Sequence, residues 1–254
     1  MNILAIGDVV GSIGCKFLRN HLPSLKKIKH IDLVIANGEN SADGNGILPT
    51  SAQYLFDSGV DIITTGNHVY RRREIYPYLD DCETILRPAN FPKDAPGRGA
   101  FIYDMGRIRV GVINLMGLVY MDNLDCPFET VDKLLHSMPK ITLVDLHAEA
   151  TGEKGALAYY LDGRVSAVFG THTHVQTADE QILPGGTGFI SDIGMVGPVR
   201  SILGVKPELI IQKMKGKLPV RFENGDGDCH MDCVLFTIDE KTGKTTAMER
   251  MQIV

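Results

Sequence analysis

The chain carries no apolar run of membrane-spanning length, no Cys-x-x-Cys pair, no Gly-Lys-Ser/Thr phosphate loop and no excess of basic residues. Each absence removes a class of protein. The opening Met1-Asn2-Ile3-Leu4-Ala5-Ile6 is too short for the apolar segment of a secretory leader and runs straight into Gly7-Asp8. Neither export nor a membrane span is expected. Five scattered cysteines, an odd number, do not suggest a disulfide framework and suit a reducing, cytoplasmic setting. Cys229-His230-Met231-Asp232-Cys233 lacks zinc-site spacing and a second cysteine pair, and reads as two buried thiols beside a strand. Gly185-Gly186-Thr187-Gly188 has neither the lysine nor the helix of a phosphate loop and reads as a turn. A formal charge of -5 makes the whole molecule no magnet for nucleic-acid backbone. Arg71-Arg72-Arg73 is left as one local basic patch, a solvated helix face or a contact for RNA phosphates.

What is present is an ordinary globular composition, 44% hydrophobic and 22% charged over 254 residues, able to bury a sizeable core. With no repeat, low-complexity tract or linker, residues 1–254 read as a single domain. Strands are expected at 2–6, 31–36, 60–65, 141–146 and 165–169. Helices are expected at about 14–27, from 49 onward, and at 72–79, 128–136 and 154–161. A Pro/Asn/Gly-rich connection, 84–98, holds one short strand before a hairpin of 100–103 with 107–114. Later come two short β segments at 180–183 and 189–192, a helix near 207–214, and a hairpin of 231–239 with 245–254. This alternation predicts an α/β fold on a sheet that is parallel at first and mixed later, with helices on both faces.

Five of the strands end in residues that bind metals or phosphates: Asp8; Glu39-Asn40; Asn67-His68; His147; and His172 and His174 within Gly170-Thr171-His172-Thr173-His174. In open α/β sheets, sites form at the carboxyl ends of strands. Singly, each residue has a plain structural explanation: Asp8 and Asn40 as turn residues, Asn67 as a helix cap, His147 as a satisfied buried histidine. All of these holding at once on one edge of one sheet is the less economical account. The set is imidazole, carboxylate and amide oxygen without thiolate, which suits Fe, Mn, Zn, Ni or Co over Ca or Mg. Seven ligands are too many for one ion with open positions. Two ions about 3.5–4 Å apart, bridged by a carboxylate, use them all, and Glu39 is the best bridge. His68, next to Asn67, points another way and is free to stabilise an oxyanion or protonate a leaving alkoxide.

Gly7-Asp8, Gly38-Glu39-Asn40, Gly66-Asn67-His68, His147 and Gly170-Thr171-His172-Thr173-His174 together resemble the calcineurin-like metallophosphoesterase superfamily. The YmdB-like branch of bacterial phosphodiesterases is the closer resemblance. It is carried by Ala36-Asn37-Gly38-Glu39-Asn40, Arg87-Pro88-Ala89-Asn90, Asp125-Cys126-Pro127-Phe128, Asp145-Leu146-His147-Ala148-Glu149-Ala150-Thr151 and Asp192-Ile193-Gly194-Met195. The motifs run from residue 3 to about 205, and the last ~50 residues match only loosely.

The resemblance implies a four-layer α/β/β/α metallophosphoesterase sandwich with mixed sheets and two transition-metal ions, iron foremost, with Mn, Zn or others as alternatives. It implies one ion on Asp8, Glu39, Asn40 and His174, the other on Glu39, Asn67, His147 and His172, and His68 as proton donor. Homo-oligomers and hydrolysis of 2′,3′- or 3′,5′-cyclic nucleotides also follow from it, and so does a link to RNA. Phosphorus would be attacked by a metal-bridging hydroxide. Where the superfamily has Asp-x-His, this chain has Val10, and Asn40 fits the missing ligand. Where the branch continues Trp-Asp, this chain has Tyr70-Arg71, and Leu118 replaces a common Arg. These changes bear on substrate preference. A phosphomonoesterase or RNA nuclease on the same site, and a low-turnover nucleotide sensor, are the alternative readings.

Overall fold

The computed structural model describes residues 1–254. In chain order its elements are β1 (Asn2–Ile6), β2 (Asp8–Val9), α1 (Gly11–Ile28), β3 (Leu33–Asn37), α2 (Pro49–Asp57), β4 (Ile62–Thr64) and α3 (Ile75–Asp81). They continue with β5 (Ile85–Leu86), β6 (Ala100–Asp104), β7 (Arg109–Met116), α4 (Pro127–Leu135), β8 (Ile141–His147), α5 (Thr151–Tyr160) and β9 (Ala167–Thr171). The last are β10 (Gln181–Ile182), β11 (Gly188–Ile190), β12 (Met195–Pro198), α6 (Pro207–Gly216), β13 (Cys229–Ile238) and β14 (Thr245–Ile253).

The strands form two sheets, which corrects the one sheet expected from alternation alone. The eight-stranded sheet runs β2-β12-β13-β1-β3-β4-β5, with β14 on β13. The six-stranded sheet runs β10-β11-β9-β8-β7-β6. Both are mixed: β1-β3-β4-β5 and β7-β8-β9-β11 are parallel, while β13 and β6 pair antiparallel with their neighbours.

The reason for two sheets lies in which way alternate side chains point. Leu4, Ile6, Val34 and Ala36 pack outward against α1 and α2, whereas Ile3, Ala5, Leu33 and Ile35 pack inward. On the other sheet Ile113, Leu115, Val144 and Leu146 face α4 and α5, and Val110, Val112, Ile141 and Leu143 face inward. Strands apolar on both faces must be covered on both faces, here by helices outside and the other sheet inside. The result is the four-layer α/β/β/α sandwich. α1 shows the complementary helical period, burying Cys15, Leu18, Leu22 and Leu25 on one stripe.

β2 and β12 were not legible as strands, because two and four residues, each run following a glycine, are too few to show a period. The helix expected at 72–79 is shifted to α3, because Val69 turns fully inward and residues 67–74 form turns. Cys229 and Cys233 lie on β13, four residues and roughly 13 Å apart along the strand. Burial raises both thiol pKa values, Cys233 to about 12. No helix is long and apolar enough to cross a membrane.

Candidate metal centre

All eight singled-out residues converge, but from two sheets. Asp8 lies on β2, Glu39 and Asn40 follow β3, and Asn67 and His68 follow β4, all on the eight-stranded sheet. His147 is the last residue of β8, and His172 and His174 follow β9, on the six-stranded sheet. The expectation of one edge of one sheet is therefore corrected: the site bridges the carboxyl ends of both. A close approach between the sheets makes this possible. A Cβ on Gly66 would stand 2.1 Å from the His147 ring, so only glycine lets that loop pass.

One cluster is centred on His147. Its Nε2 lies 3.0 Å from Asn67 Oδ1, 3.0 Å from His172 Nδ1 and 3.2 Å from Glu39 Oε1. The ligand atoms of Glu39, His147 and His172 all lie within 4.8 Å of one another. A second cluster is centred on His174. Its Nε2 lies 3.6 Å from Asp8 Oδ1 and 3.2 Å from Asn40 Nδ2, and the Asn40 amide also meets Glu39 Oε1 at 3.4 Å. Asn40 turns its oxygen to His68 Nδ1, 2.7 Å away, and a half-turn of the amide would exchange its two ends. Glu39 touches both clusters.

The outward nitrogen of each imidazole is already engaged. His147 Nδ1 donates to Thr171 Oγ1 at 2.9 Å, while Thr171 donates to Asp145 at 2.7 Å. His172 Nε2 lies 3.1 Å from Glu149, and His174 Nδ1 donates to Leu203 O at 3.0 Å. These partners fix the tautomers so that three imidazole lone pairs point inward. Two facing lone pairs 3.0 Å apart, those of His147 and His172, repel unless a proton or cation stands between them. Asp8 Oδ1 is fully buried without a hydrogen-bond partner. A buried carboxylate oxygen left bare and inward lone pairs are what a cation would satisfy, so the residues fit a metal.

The electrostatics agree. Burial works against the Asp8 and Glu39 carboxylates, yet the neighbouring histidines outweigh it and hold both pKa values below the usual range. Burial opposes charge on His147 as well, but Glu39 and Asp8 push its pKa up to about 9. The His172 pKa is pushed down to about 4 by burial and by the charge on His147. Burial also lowers that of His68, and the Arg71 charge adds to this against the pull of Glu39. Asp145, buried beneath the site, rises to about 7, with Thr64, the His147 charge and Thr171 partly offsetting its burial.

Reasoning from sequence assigned no role to several supports. Lys154 on α5 forms a buried 2.7 Å ion pair with Asp192, which also accepts the Thr173 N–H at 3.0 Å. Asp8 N–H donates to Gly194 O, two residues on, at 3.0 Å. This buckle holds His172 and His174 at φ of +103° and +62°. Such backbone costs L residues on the order of 1–3 kcal/mol each and persists where the surroundings impose it. Asp145, Glu149 and Asp192 lay within motifs already noticed, whereas Lys154 carried no signal. Tyr70 points away from the site, donating to Pro96 O at 2.7 Å. Arg71 lines a cavity together with His68.

A cavity of ≈ 370 Å³ opens on Glu39, Asn40, His68, His172 and His174, and Ile210, Met214 and Phe222 form its apolar wall. That is ligand-sized.

The family model described as YmdB-like protein matches residues 4–251. The chain is 45% identical over 256 residues to the 2′,3′-cyclic-nucleotide 2′-phosphodiesterase of Bacillus subtilis (strain 168), covering 100% of this chain and 97% of that protein. A phosphatase of Mycoplasma pneumoniae superimposes with a TM-score of 0.95 at 31% identity, covering 100% of this chain and 93% of that one. A protein of Thermus thermophilus superimposes with a TM-score of 0.94 at 39% identity, covering 99% of this chain and 98% of that one.

Proposed function

The chain belongs to the YmdB-like protein family, and on that premise we propose that it is a metal-dependent hydrolase of cyclic phosphodiesters, with 2′,3′-cyclic nucleotides as first substrates and 3′,5′-cyclic nucleotides as second. The observation that carries the metal dependence is the set of three imidazoles whose outward nitrogens are engaged and whose inward lone pairs face two buried carboxylates. Asp8, Glu39, Asn40 and His174 would hold one ion, and Glu39, Asn67, His147 and His172 the other. The N/O donor set suits iron, manganese and zinc alike, and the family resemblance puts iron first. Two such ions supply charge to polarise the phosphoryl oxygens and an activated water at neutral pH.

The chain's own residues do the rest. His68 Nδ1 lies 2.7 Å from Asn40 Oδ1 and 3.4 Å from Glu39 Oε1, which orients the ring so that Nε2 of its protonated form would hand a proton to the departing ribose oxygen. An anionic phosphodiester beside His68 would favour the imidazolium and so work against the burial that lowers its pKa. The apolar wall of Ile210, Met214 and Phe222 faces these groups across the ≈ 370 Å³ cavity and offers a surface for a nucleobase.

Turnover of a cyclic nucleotide, a phosphomonoester and a short single-stranded RNA by metal-loaded protein tests this reading. Cyclic nucleotide is expected to lead. A monoester or RNA as the fastest substrate would overturn it in favour of a phosphatase or a nuclease. Tight cyclic-nucleotide binding without turnover would mark a sensor.

A further inference from the structure

A second cavity, ≈ 750 Å³, adjoins the first and shares His68, Gly44, Val205 and Phe222 with it. Its lining is different in kind. Arg71, Arg72, Lys213 and Arg221 line it against a single acid, Asp43. None of these four cations is paired with a carboxylate, since the ion pairs of the chain's arginines and lysines all fall elsewhere. Arg72 is partly anchored, its Nε donating to Asn45 O at 3.0 Å. The far wall is also fixed. Asn224 fills a notch where a Cβ on Gly11 or Gly44 would stand 2.0 or 2.3 Å from its amide, and Lys206 N–H donates to Glu223 O at 3.0 Å. Four cations facing one acid around a preformed hollow are suited to an anion.

Position decides which anion. If His68 protonates the ribose oxygen, as proposed above, the ribose sits at the rim the two cavities share. The scissile phosphate then lies toward the metal ligands and the base toward the apolar wall. The 5′ carbon is left facing the basic cavity. We propose that Arg71, Arg72, Lys213 and Arg221 form a subsite for a second phosphate, carried on the 5′ carbon of the nucleoside whose cyclic phosphodiester is opened. That phosphate is either a terminal 5′-phosphate or the next phosphodiester of an oligonucleotide. The proposal rests on the phosphodiesterase reading and specifies its substrate class.

The test compares three substrates on metal-loaded protein: adenosine 2′,3′-cyclic phosphate, its 5′-phosphorylated counterpart, and an adenylyl dinucleotide ending in a 2′,3′-cyclic phosphate. A charge-assisted contact predicts kcat/KM roughly 10–100-fold higher for the substrates with a 5′ phosphate, mainly through KM. R71Q and R221Q are expected to shrink that ratio about tenfold each, as one lost charged hydrogen bond implies. Preference between the second and third substrates distinguishes a mononucleotide from an oligonucleotide end. Equal kcat/KM with and without the 5′ phosphate, or variants that lose activity on all three in proportion, would overturn the subsite while leaving phosphodiesterase activity standing. If none of the three is turned over, calorimetric binding of adenosine 3′,5′-bisphosphate against adenosine 3′-monophosphate decides independently. Tighter binding of the bisphosphate, lost in R71Q and R221Q, supports the subsite, and equal affinity sinks it.

Discussion

The two clusters that share Glu39 are built differently. Around His147 the ligand-type atoms of Asn67, His172 and Glu39 already stand within 3.2 Å of one imidazole nitrogen, backed by Thr171 and Asp145 and closed in by Gly66. Around His174 the nearest carboxylate oxygen is 3.6 Å away, Asp8 Oδ1 has no hydrogen-bond partner, and an amide nitrogen turns inward. The first cluster is already drawn together around one nitrogen, while the second is looser and leaves a carboxylate oxygen bare. Placement explains the contrast. His147 ends a strand buried on both faces, whereas His174 sits on the loop after β9, tied down through Leu203, Asp8 and the Lys154–Asp192 buckle.

Removing the shared residue should have the largest effect. Glu39→Ala is expected to empty both clusters and, at several kcal/mol per ion, cost roughly 10⁴-fold or more in rate. Elemental analysis showing one ion retained would mean that Glu39 does not bridge. His68→Ala should leave both clusters loaded and lower kcat by ~10²–10⁴. Full turnover in that variant would remove His68 from the chemistry.

His172→Ala and His174→Ala separate the clusters. Each should deplete one ion selectively, and equal loss of both ions in each variant would show that the two groups are not independent. Thr171→Val is a finer cut, because it removes the hydroxyl between His147 and Asp145 and touches no ligand of the other cluster. A roughly 10–100-fold loss of affinity is expected for the ion on the His147 side only. An unchanged metal titration would show that the relay is dispensable.

Protonation gives the smallest expected effect. In metal-free protein the His147 pKa stands at about 9 against an ordinary 6.5. The stability it contributes is therefore complete below pH 6.5 and lost as pH rises through about 9. A bound ion must displace that proton, so metal affinity rises over the same range. The difference in Tm between metal-loaded and metal-free protein should widen from pH 6.5 to 9. A constant difference would mean that His147 is not the titrating ligand.

Most of the fold was legible because strands and helices announce themselves by period. Asn2–Ile6 and Ile141–His147 are largely apolar runs, and α1 repeats its apolar residues every turn. The residues of the candidate centre stood out for another reason. They directly follow such runs, often after a glycine, where composition changes abruptly. Lys154 was not legible, since a lysine in a helical pattern resembles a solvated face until Asp192 is brought against it from 38 residues away. The basic cavity was half legible: Arg71 and Arg72 stood out as a charge run, but nothing linked them to Lys213 and Arg221.

The sequence by itself determined the order of the strands' apolar runs and the chemical character of the residues at their ends, because both are local properties of short segments. Only the tertiary structure decided that those ends come from two sheets, that outward hydrogen bonds turn three imidazoles inward, and that a basic hollow adjoins His68. These depend on groups far apart in the chain meeting at hydrogen-bonding distance, and no local pattern encodes that.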